Sequence, residues 1–520
     1  APAAAPLFED VTSTANFLGP STDALDVLTI GAACFDYDHD GLPDLFLGGG
    51  RSLGGELWHN LGGMRFERVP GFVDPPIGER AVPVDYDGDG WTDLLVLGDP
   101  RSYTRLLRNR EGKGFEDVTE KVGLDAPLGL TETALWFDAD GDGRLDLYLV
   151  YLGTFVDRTM PSGDASNGSP NVLYLNKGGR FVDATKGSGL EDTHWGWGAA
   201  ALDYDGDGRE DVFLCNIWGR SRLFHNDGGG HFTDVTSSSG IDVPTLCKGV
   251  SVADVNGDGR PDLFINALSR PQEVWQSWAG GTPRGLLDPS SFSGGHVPLS
   301  DPGHERLYVN QGDGRFKEEA EELGAAETGF GWDGQLADLD LDGRPDLFVV
   351  NGFYPDTLFC HDERKVVRLF DPAAGRFKDV SAGSGADFLG CSRASLVGDF
   401  DRDGCPDVLV TGLHGARLLH GRCPAGNRWL RLTLSQPGPN AAALGALVTV
   451  RAGGRSRVFD WGRQGGGKVV SGCGELLVGL GKASRADEVE VAWPDGTREA
   501  FGPFAADTDA SLRRGAGRRP

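Results

Sequence analysis

Seven copies of one acidic nonapeptide, Asp-x-Asp/Asn-x-Asp-Gly-x-x-Asp, are strung along residues 36–407, each between two short apolar runs. Such a repeat constrains the fold tightly, because every copy must occupy the same place in a supersecondary unit that cannot bury its apolar face alone. The copies supply Asp36, Asp38, Asp40 and Asp44; Asp85, Asp87, Asp89 and Asp93; Asp138, Asp140, Asp142 and Asp146; Asp203, Asp205, Asp207 and Asp211. They continue with Asp254, Asn256, Asp258 and Asp262; Asp338, Asp340, Asp342 and Asp346; and Asp399, Asp401, Asp403 and Asp407. Successive copies start 49, 53, 65, 51, 84 and 61 residues apart, the length of a four-stranded propeller blade with variable insertions.

The remaining strands of each unit are legible around the loop. A second apolar run follows it (Leu45-Phe-Leu, Leu147-Tyr-Leu-Val), then a third (Leu106-Leu-Arg-Asn, Leu223-Phe-His-Asn), a Gly-rich hairpin and a fourth. The seventh unit stops after Ala416-Arg-Leu-Leu-His420, whereas Leu7-Phe-Glu-Asp-Val-Thr12 stands alone at the beginning of the chain. We therefore expect the first strand to complete the last blade and close the ring. The predicted fold is all-β: a seven-bladed β-propeller over residues 1–424, a small β-sandwich or barrel over 425–504, and a flexible basic tail over 505–520.

Acidic side chains at the first, third and fifth loop positions converge when the backbone turns at the glycine in sixth place. The seventh carbonyl and the ninth Asp, binding through both oxygens, complete about six or seven hard oxygen ligands, which suits calcium. No Cys or His stands at a ligand position, against zinc or copper. The flanks are strands and the loop ends at its ninth residue, so this is not an EF-hand. Without a cation, four carboxylates in nine residues would repel one another. About seven structural Ca2+ ions are expected, and they would halve the formal net charge of -28.

That acidity disfavours nucleic acid. No apolar run is long enough to span a membrane as a helix. Eight cysteines leave the pairing open; Cys215 with Cys247 and Cys360 with Cys391 are placed to pair, with buried free thiols as the alternative. Small residues at the beginning, Ala-Pro-Ala-Ala-Ala-Pro, fit a mature end left by signal-peptide removal. Calcium in weak sites also favours a secreted, cell-surface or periplasmic location.

The phrases Ala201-Leu-Asp-Tyr-Asp-Gly-Asp-Gly-Arg-Glu-Asp211 and Leu336-Ala-Asp-Leu-Asp-Leu-Asp-Gly-Arg-Pro-Asp346 resemble the FG-GAP/VCBS repeats of integrin-α-type propellers. Asn427-Arg-Trp-Leu-Arg-Leu, Leu444-Gly-Ala-Leu-Val-Thr-Val450, Val478-Gly-Leu-Gly481 and Val491-Ala-Trp-Pro-Asp-Gly496 look like the ASPIC/UnbV module. Together the two are similar to the cartilage acidic protein family, which includes secreted bacterial members. The EGF-like domain of the vertebrate members is absent, so their matrix or receptor roles do not carry over.

The long insertions, about 153–170, 269–306 and 353–365, all join second to third strands and so lie on the face opposite the calcium loops. Binding concentrates in such variable loops on a rigid scaffold. The aromatic candidates there are Tyr151, Phe155, Trp218, Trp275, Trp278, Phe353 and Tyr354, suited to a glycan or an extracellular protein. His194-Trp-Gly-Trp197 and Phe330-Gly-Trp332 are read as core packing near the channel mouth. His59, His225 and His420 recur at one blade position and are read as a structural slot. His296, His304 and His361, with Asp301, Glu305 and Asp362, are candidates for an accessory transition-metal site. The functional expectation is an adhesion or recognition module. The alternatives are an enzyme on the same face, acting on polysaccharide or oxidase-like with an extra metal, and a structural surface or matrix component; no catalytic motif supports the enzyme.

Overall fold

The computed structural model describes residues 6–13, 15, 31–49, 55–72, 80–98, 103–127, 129–153, 166–217, 219–241, 244–245, 247–267, 304–352, 363–412, 415–462, 465–466, 469–470 and 473–520. Nearly all the regular structure is β. Among the described residues seven sheets each carry one acidic loop between the first and second of four antiparallel strands, and two of them, in units 1 and 4, gain a fifth strand from the C-terminal part of the chain. In unit 3, for example, Thr131–Phe137, Asp146–Tyr151, Val172–Asn176 and Phe181–Asp183 pair in chain order. The first strands of units 1 to 7 are Ala32–Phe35, Ala81–Val84, Thr131–Phe137, Gly196–Leu202, Cys247–Ala253, Gly331–Ala337 and Ser392–Gly398.

First strands are covered on both faces, which explains their small and apolar residues; Gly196–Leu202, Gly-Trp-Gly-Ala-Ala-Ala-Leu, is buried throughout. Neighbouring sheets share apolar cores. Phe46 and Leu57 of unit 1 pack with Leu94 and Leu107 of unit 2, and Leu95 and Leu106 of unit 2 with Trp136 and Leu149 of unit 3. Similar cores join units 3 and 4, 4 and 5, 5 and 6, and 6 and 7. Leu396, Leu409 and Leu418 of unit 7 then meet Cys34, Leu45 and Trp58 of unit 1, so the sheets form a closed, propeller-like ring. Phe8–Asp10 pairs antiparallel with Gly415–Gly421, giving unit 7 its fourth strand as the sequence indicated.

A separate core of Leu430, Leu432, Val448, Val450, Val489, Val491 and Trp493 holds the C-terminal module together. Its sheets have the strand orders Leu476–Gly481, Arg428–Ser435, Thr508–Arg513 and Arg455–Asp460, Leu447–Ala452, Glu488–Ala492, Arg498–Phe501. The expected tail over 505–520 is therefore corrected. Thr508–Arg513 runs parallel to Arg428–Ser435, burying Ala510 and Leu512, and Ala500 bridges Arg518. Its alternating pattern outweighs the Arg- and Gly-rich composition that suggested disorder.

The module also reaches into the ring. Gly465–Gly466 pairs with Ala199–Ala200 of unit 4, and Val469–Val470 pairs parallel with Ala32–Ala33 of unit 1. Cys473 is disulfide-bonded to Cys34, 439 residues away in sequence, which pins this segment to the first strand of unit 1. Cys215–Cys247 is present, and Cys405–Cys423 ties unit 7 to the start of the module. Cys391 is disulfide-bonded as well, while Cys360 lies outside the described residues.

Candidate metal centres

The seven loops share one backbone conformation. Their sixth residues, all glycine, take φ between 82° and 91°, a region glycine enters without steric cost. The fourth residue is left-handed too: Gly88, Gly141, Gly206 and Gly257 in four loops, and His39, Leu341 and Arg402, at φ 60–62°, in the other three. In each loop the sixth amide donates to Oδ2 of the first Asp, at 2.8–3.0 Å. In the four Gly loops the fourth amide donates to Oδ1 of that Asp, at 2.8–2.9 Å. In the other three, Oδ1 of Asp36, Asp338 and Asp399 is buried with no hydrogen-bond partner.

The ninth Asp is at most 1% exposed in every loop. Its Oδ1 accepts the amide at the end of the third strand at 2.7–2.8 Å, from Asn60, Asn109, Asn176, Asn226, Asn310, Phe370 or Gly421. Its Oδ2 accepts the amide of the second loop residue at 2.8–3.3 Å. The ninth Asp is thus a strut between three strands as well as a donor, and each oxygen keeps only its remaining lone pair for a cation. In units 1 to 5 an Asn at the end of the third strand donates to a carbonyl in its own loop and to one in the preceding unit's loop. Asn109 reaches Thr92 and Tyr37, and Asn60 reaches Pro43 and Phe400, across the ring closure. The sequence shows these asparagines but not the stitch they make.

These carboxylates sit where charge is costly. Burial, opposed by the backbone amides and reinforced by neighbouring loop carboxylates, pushes Asp85 up to about 6 and Asp44, Asp146 and Asp262 up to about 7. Asp93 and Asp211 rise to about 8, and Asp338, Asp346 and Asp407 well above the ordinary carboxylate range. Buried oxygens without partners, an all-oxygen first, third and fifth position, and carboxyls held above their normal range together fit a hard dication. The ligands would be the first, third, fifth and ninth side chains, with the ion adding positive charge to that of the few basic side chains, such as Arg108 and Lys177, that already pair with loop carboxylates.

The C-terminal module docks on this loop face. Arg431, 2% exposed, pairs with Asp399 of loop 7 and with Glu475, and Arg402 of that loop also meets Glu475 at 3.0 Å. Gly481 donates its amide to Leu341 O at 2.9 Å, and Asn427 donates to Asp340 O at 2.7 Å, both in loop 6. Between module and ring lies a cavity of about 800 Å3, lined by Asp85, Asp254, Asp399, Arg457, Trp461 and Glu475.

On the opposite face the candidates divide. Tyr151 is corrected: it is fully buried, its hydroxyl donating to Pro127 O at 3.2 Å, because the strand Asp146–Tyr151 ends inside the sheet. Phe155, Trp218, Trp275, Trp278, Phe353 and Tyr354 lie outside the described residues, as do His296, His361, Asp301 and Asp362. Glu305 is wholly buried and accepts the Thr328 amide at 3.2 Å, so it does not present to a surface metal. Trp195, Trp197, Phe330 and Trp332 are buried, as read from the sequence. Two exposed rim residues escaped that reading: Tyr103 (57%), between the second and third strands of unit 2, and Leu389 (55%), just before the first strand of unit 7. Neither belongs to a long insertion, the signal used to choose candidates.

Comparison with known proteins agrees with this architecture. The FG-GAP-like repeat family matches residues 85–149, 162–214, 203–265 and 297–349, and the ASPIC and UnbV family matches 436–519. The chain contains FG-GAP-like repeats and an ASPIC and UnbV domain. It is homologous to cartilage acidic protein 1 of Mus musculus, 25% identical over 533 residues that cover 95% of this chain and 74% of that protein. The Homo sapiens protein is 25% identical over 532 residues, covering 95% and 73%. Among solved structures, BBS1N in complex with ARL6DN is similar at a TM-score of 0.43 and 10% identity, covering 81% of this chain and 98% of that one, too distant to inform function. The ASPIC and UnbV match runs to residue 519, in keeping with the ordered C-terminal strand.

Proposed function

We propose that this FG-GAP-repeat protein is an extracellular recognition module, held rigid by about seven structural calcium ions, that binds a glycan or another extracellular protein. The observation that carries the reading is the position of the C-terminal module. It packs on loops 6 and 7 through Arg431, Asn427 and Gly481, whereas the long second-to-third-strand connections leave their sheets at the opposite end, away from the module. Disulfides support maturation in an oxidising compartment. No helix among the described residues is long and apolar enough to cross a membrane.

Tyr103 and Leu389 are large apolar side chains among the described residues that are exposed on that face, and they are the natural probes. Against a panel of matrix polysaccharides and extracellular proteins in calcium buffer, the double substitution Tyr103→Ala, Leu389→Ala is expected to weaken a detected interaction about tenfold or more, the size of 1.4 kcal/mol. Its melting temperature should not change. Arg498→Ala, on an exposed edge of the module, is expected to leave binding intact. Loss of binding on the module substitution, with none on the rim pair, would place the ligand on the wrong face for this reading.

A further inference from the structure

The seven loops are equivalent in backbone but not in what overhangs them. One third-strand position, immediately before the residue whose amide binds the ninth Asp, is occupied by His59, Arg108, Leu175, His225, Val309, Leu369 and His420; the Leu and Val side chains join apolar cores, whereas the His and Arg side chains reach loop carboxylates. In unit 1, His59 Nδ1 lies 3.1 Å from Asp44 Oδ1 and 3.5 Å from Asp38 Oδ2. In unit 4, His225 Nε2 lies 3.2 Å from Asp205 Oδ2 and 3.4 Å from Asp207 Oδ2. In unit 7, His420 Nε2 lies 3.3 Å from both Asp401 Oδ2 and Asp403 Oδ2. The sequence reading treated these rings as a structural slot; the structure turns them onto the third and fifth loop positions.

We propose that loops 1, 4 and 7 are mixed carboxylate–imidazole centres that prefer a borderline dication of the zinc type, while loops 2, 3, 5 and 6 are all-oxygen centres. The inference rests on the reading that the loops hold dications. Two observations carry it beyond that reading, and a third supports the cation itself. One ligand atom each from Asp38, Asp40 and His59, from Asp205, Asp207 and His225, and from Asp401, Asp407 and His420 lies within 4.8 Å of the others. A tetrahedral ion with bonds of about 2.0–2.2 Å sets its ligand atoms roughly 3.3–3.6 Å apart, close to the 3.2–3.4 Å between Nε2 of His225 or His420 and the facing carboxylate oxygens. His225 Nδ1 is held at 2.9 Å by Asp227 Oδ1, which fixes the ring and leaves Nε2 facing the loop, the arrangement in which a second carboxylate orients a metal-bound imidazole. Finally, Asp399, 1% exposed, keeps Oδ1 buried and unpartnered at the first position of loop 7, and Asp36 Oδ1 is unpartnered in loop 1; Asp338 Oδ1 in the all-oxygen loop 6 is too, so these oxygens call for a cation without choosing its kind. Imidazole nitrogen raises affinity for zinc-type ions far more than for calcium. The other four loops carry Leu, Val or Arg at this position and serve as internal controls.

The test uses the full chain, stripped of metal and loaded with 113Cd2+, a probe both site classes accept, with its histidines labelled in 15N. We expect about three cadmium resonances to show coupling to histidine nitrogen and to shift downfield of the rest. His59→Gln, His225→Gln and His420→Gln should each remove one coupled resonance, and Arg108→Gln none. In competition, Zn2+ should displace calcium at about three sites, at least tenfold more readily than in the triple Gln variant. Bound cadmium with no histidine coupling would overturn the inference and leave the loops as cation sites. No bound cadmium at all would overturn both the inference and the calcium reading beneath it.

Discussion

Stripped of divalent cations, this protein is expected to melt about 20 °C below its value in excess calcium. At a hundredfold excess over the dissociation constant, each site adds about 2.7 kcal/mol, and about seven sites add roughly 19 kcal/mol. With an unfolding entropy of about 2.1 cal/mol/K per residue, a ring of some 430 residues loses about 1 °C for each 0.9 kcal/mol removed. The pH dependence should also reverse. In the metal-free protein Asp44, Asp146 and Asp262 titrate at about 7 and Asp93 and Asp211 at about 8, all above the ordinary value of 3.8. The native state then binds more protons than the unfolded chain, so this contribution is full at low pH and is lost as pH rises through those values. Metal-free melts should therefore fall between about pH 5 and 8. Calcium-loaded melts should rise over the same range, because protons compete with the ion. Melting curves at pH 5.5 and 8, with and without calcium, measure both effects. Parallel slopes, or a midpoint indifferent to calcium, would remove the structural ion from the account.

Removing the closing strand is expected to convert a monodisperse protein into one that associates through its edge. Phe8–Asp10 is only three residues long, yet the chain around it is bound on several sides. The Phe8 amide donates to Ser384 O at 2.8 Å, Val11 to Leu418 O at 3.0 Å, and Arg422 to Leu7 O at 2.7 Å. Phe8 itself is 2% exposed, set edge-on to Phe348 among Val350, Val367, Val408 and Leu419 of units 6 and 7. Deleting residues 1–14 exposes the unpaired edge of Gly415–Gly421 and opens this core, conditions that favour edge-to-edge pairing. Phe8→Ala alone keeps the backbone pairing but should cost about 3–5 kcal/mol, as truncation of a buried aromatic does. Light scattering after size exclusion reads the deletion, and a thermal melt reads the point variant. A monomeric deletion variant as stable as the intact chain would show that the ring does not depend on this strand.

Local pattern made much of this molecule legible. The acidic nonapeptide with glycine in sixth place specified the loop, and the apolar runs on either side specified the strands it joins. The orphan strand at Leu7–Thr12 was readable because unit 7 visibly lacked its fourth. What escaped was non-local. Nothing in Gly465–Gly466 or Val469–Val470 announces pairing with the first strands of units 4 and 1, since a two-residue strand is too short to show an alternating pattern. The Cys34–Cys473 bridge spans almost the whole chain and follows from that pairing alone. Tyr151 was misplaced because it directly precedes an insertion, although the strand it ends is buried on both faces. In Thr508–Arg513 a real alternation was masked by basic composition. The overhanging histidines were seen to recur, but their direction depends on how the third strand leans over its loop, which spacing does not encode.

Every acidic loop is expected to hold a cation, and elemental analysis of the gently desalted, full-length protein tests this most directly. About seven divalent ions per chain are expected, mostly calcium, falling to about three once Asp85, Asp138, Asp254 and Asp338 are replaced by Ala. A chain that folds into the same ring with no stoichiometric metal would contradict it.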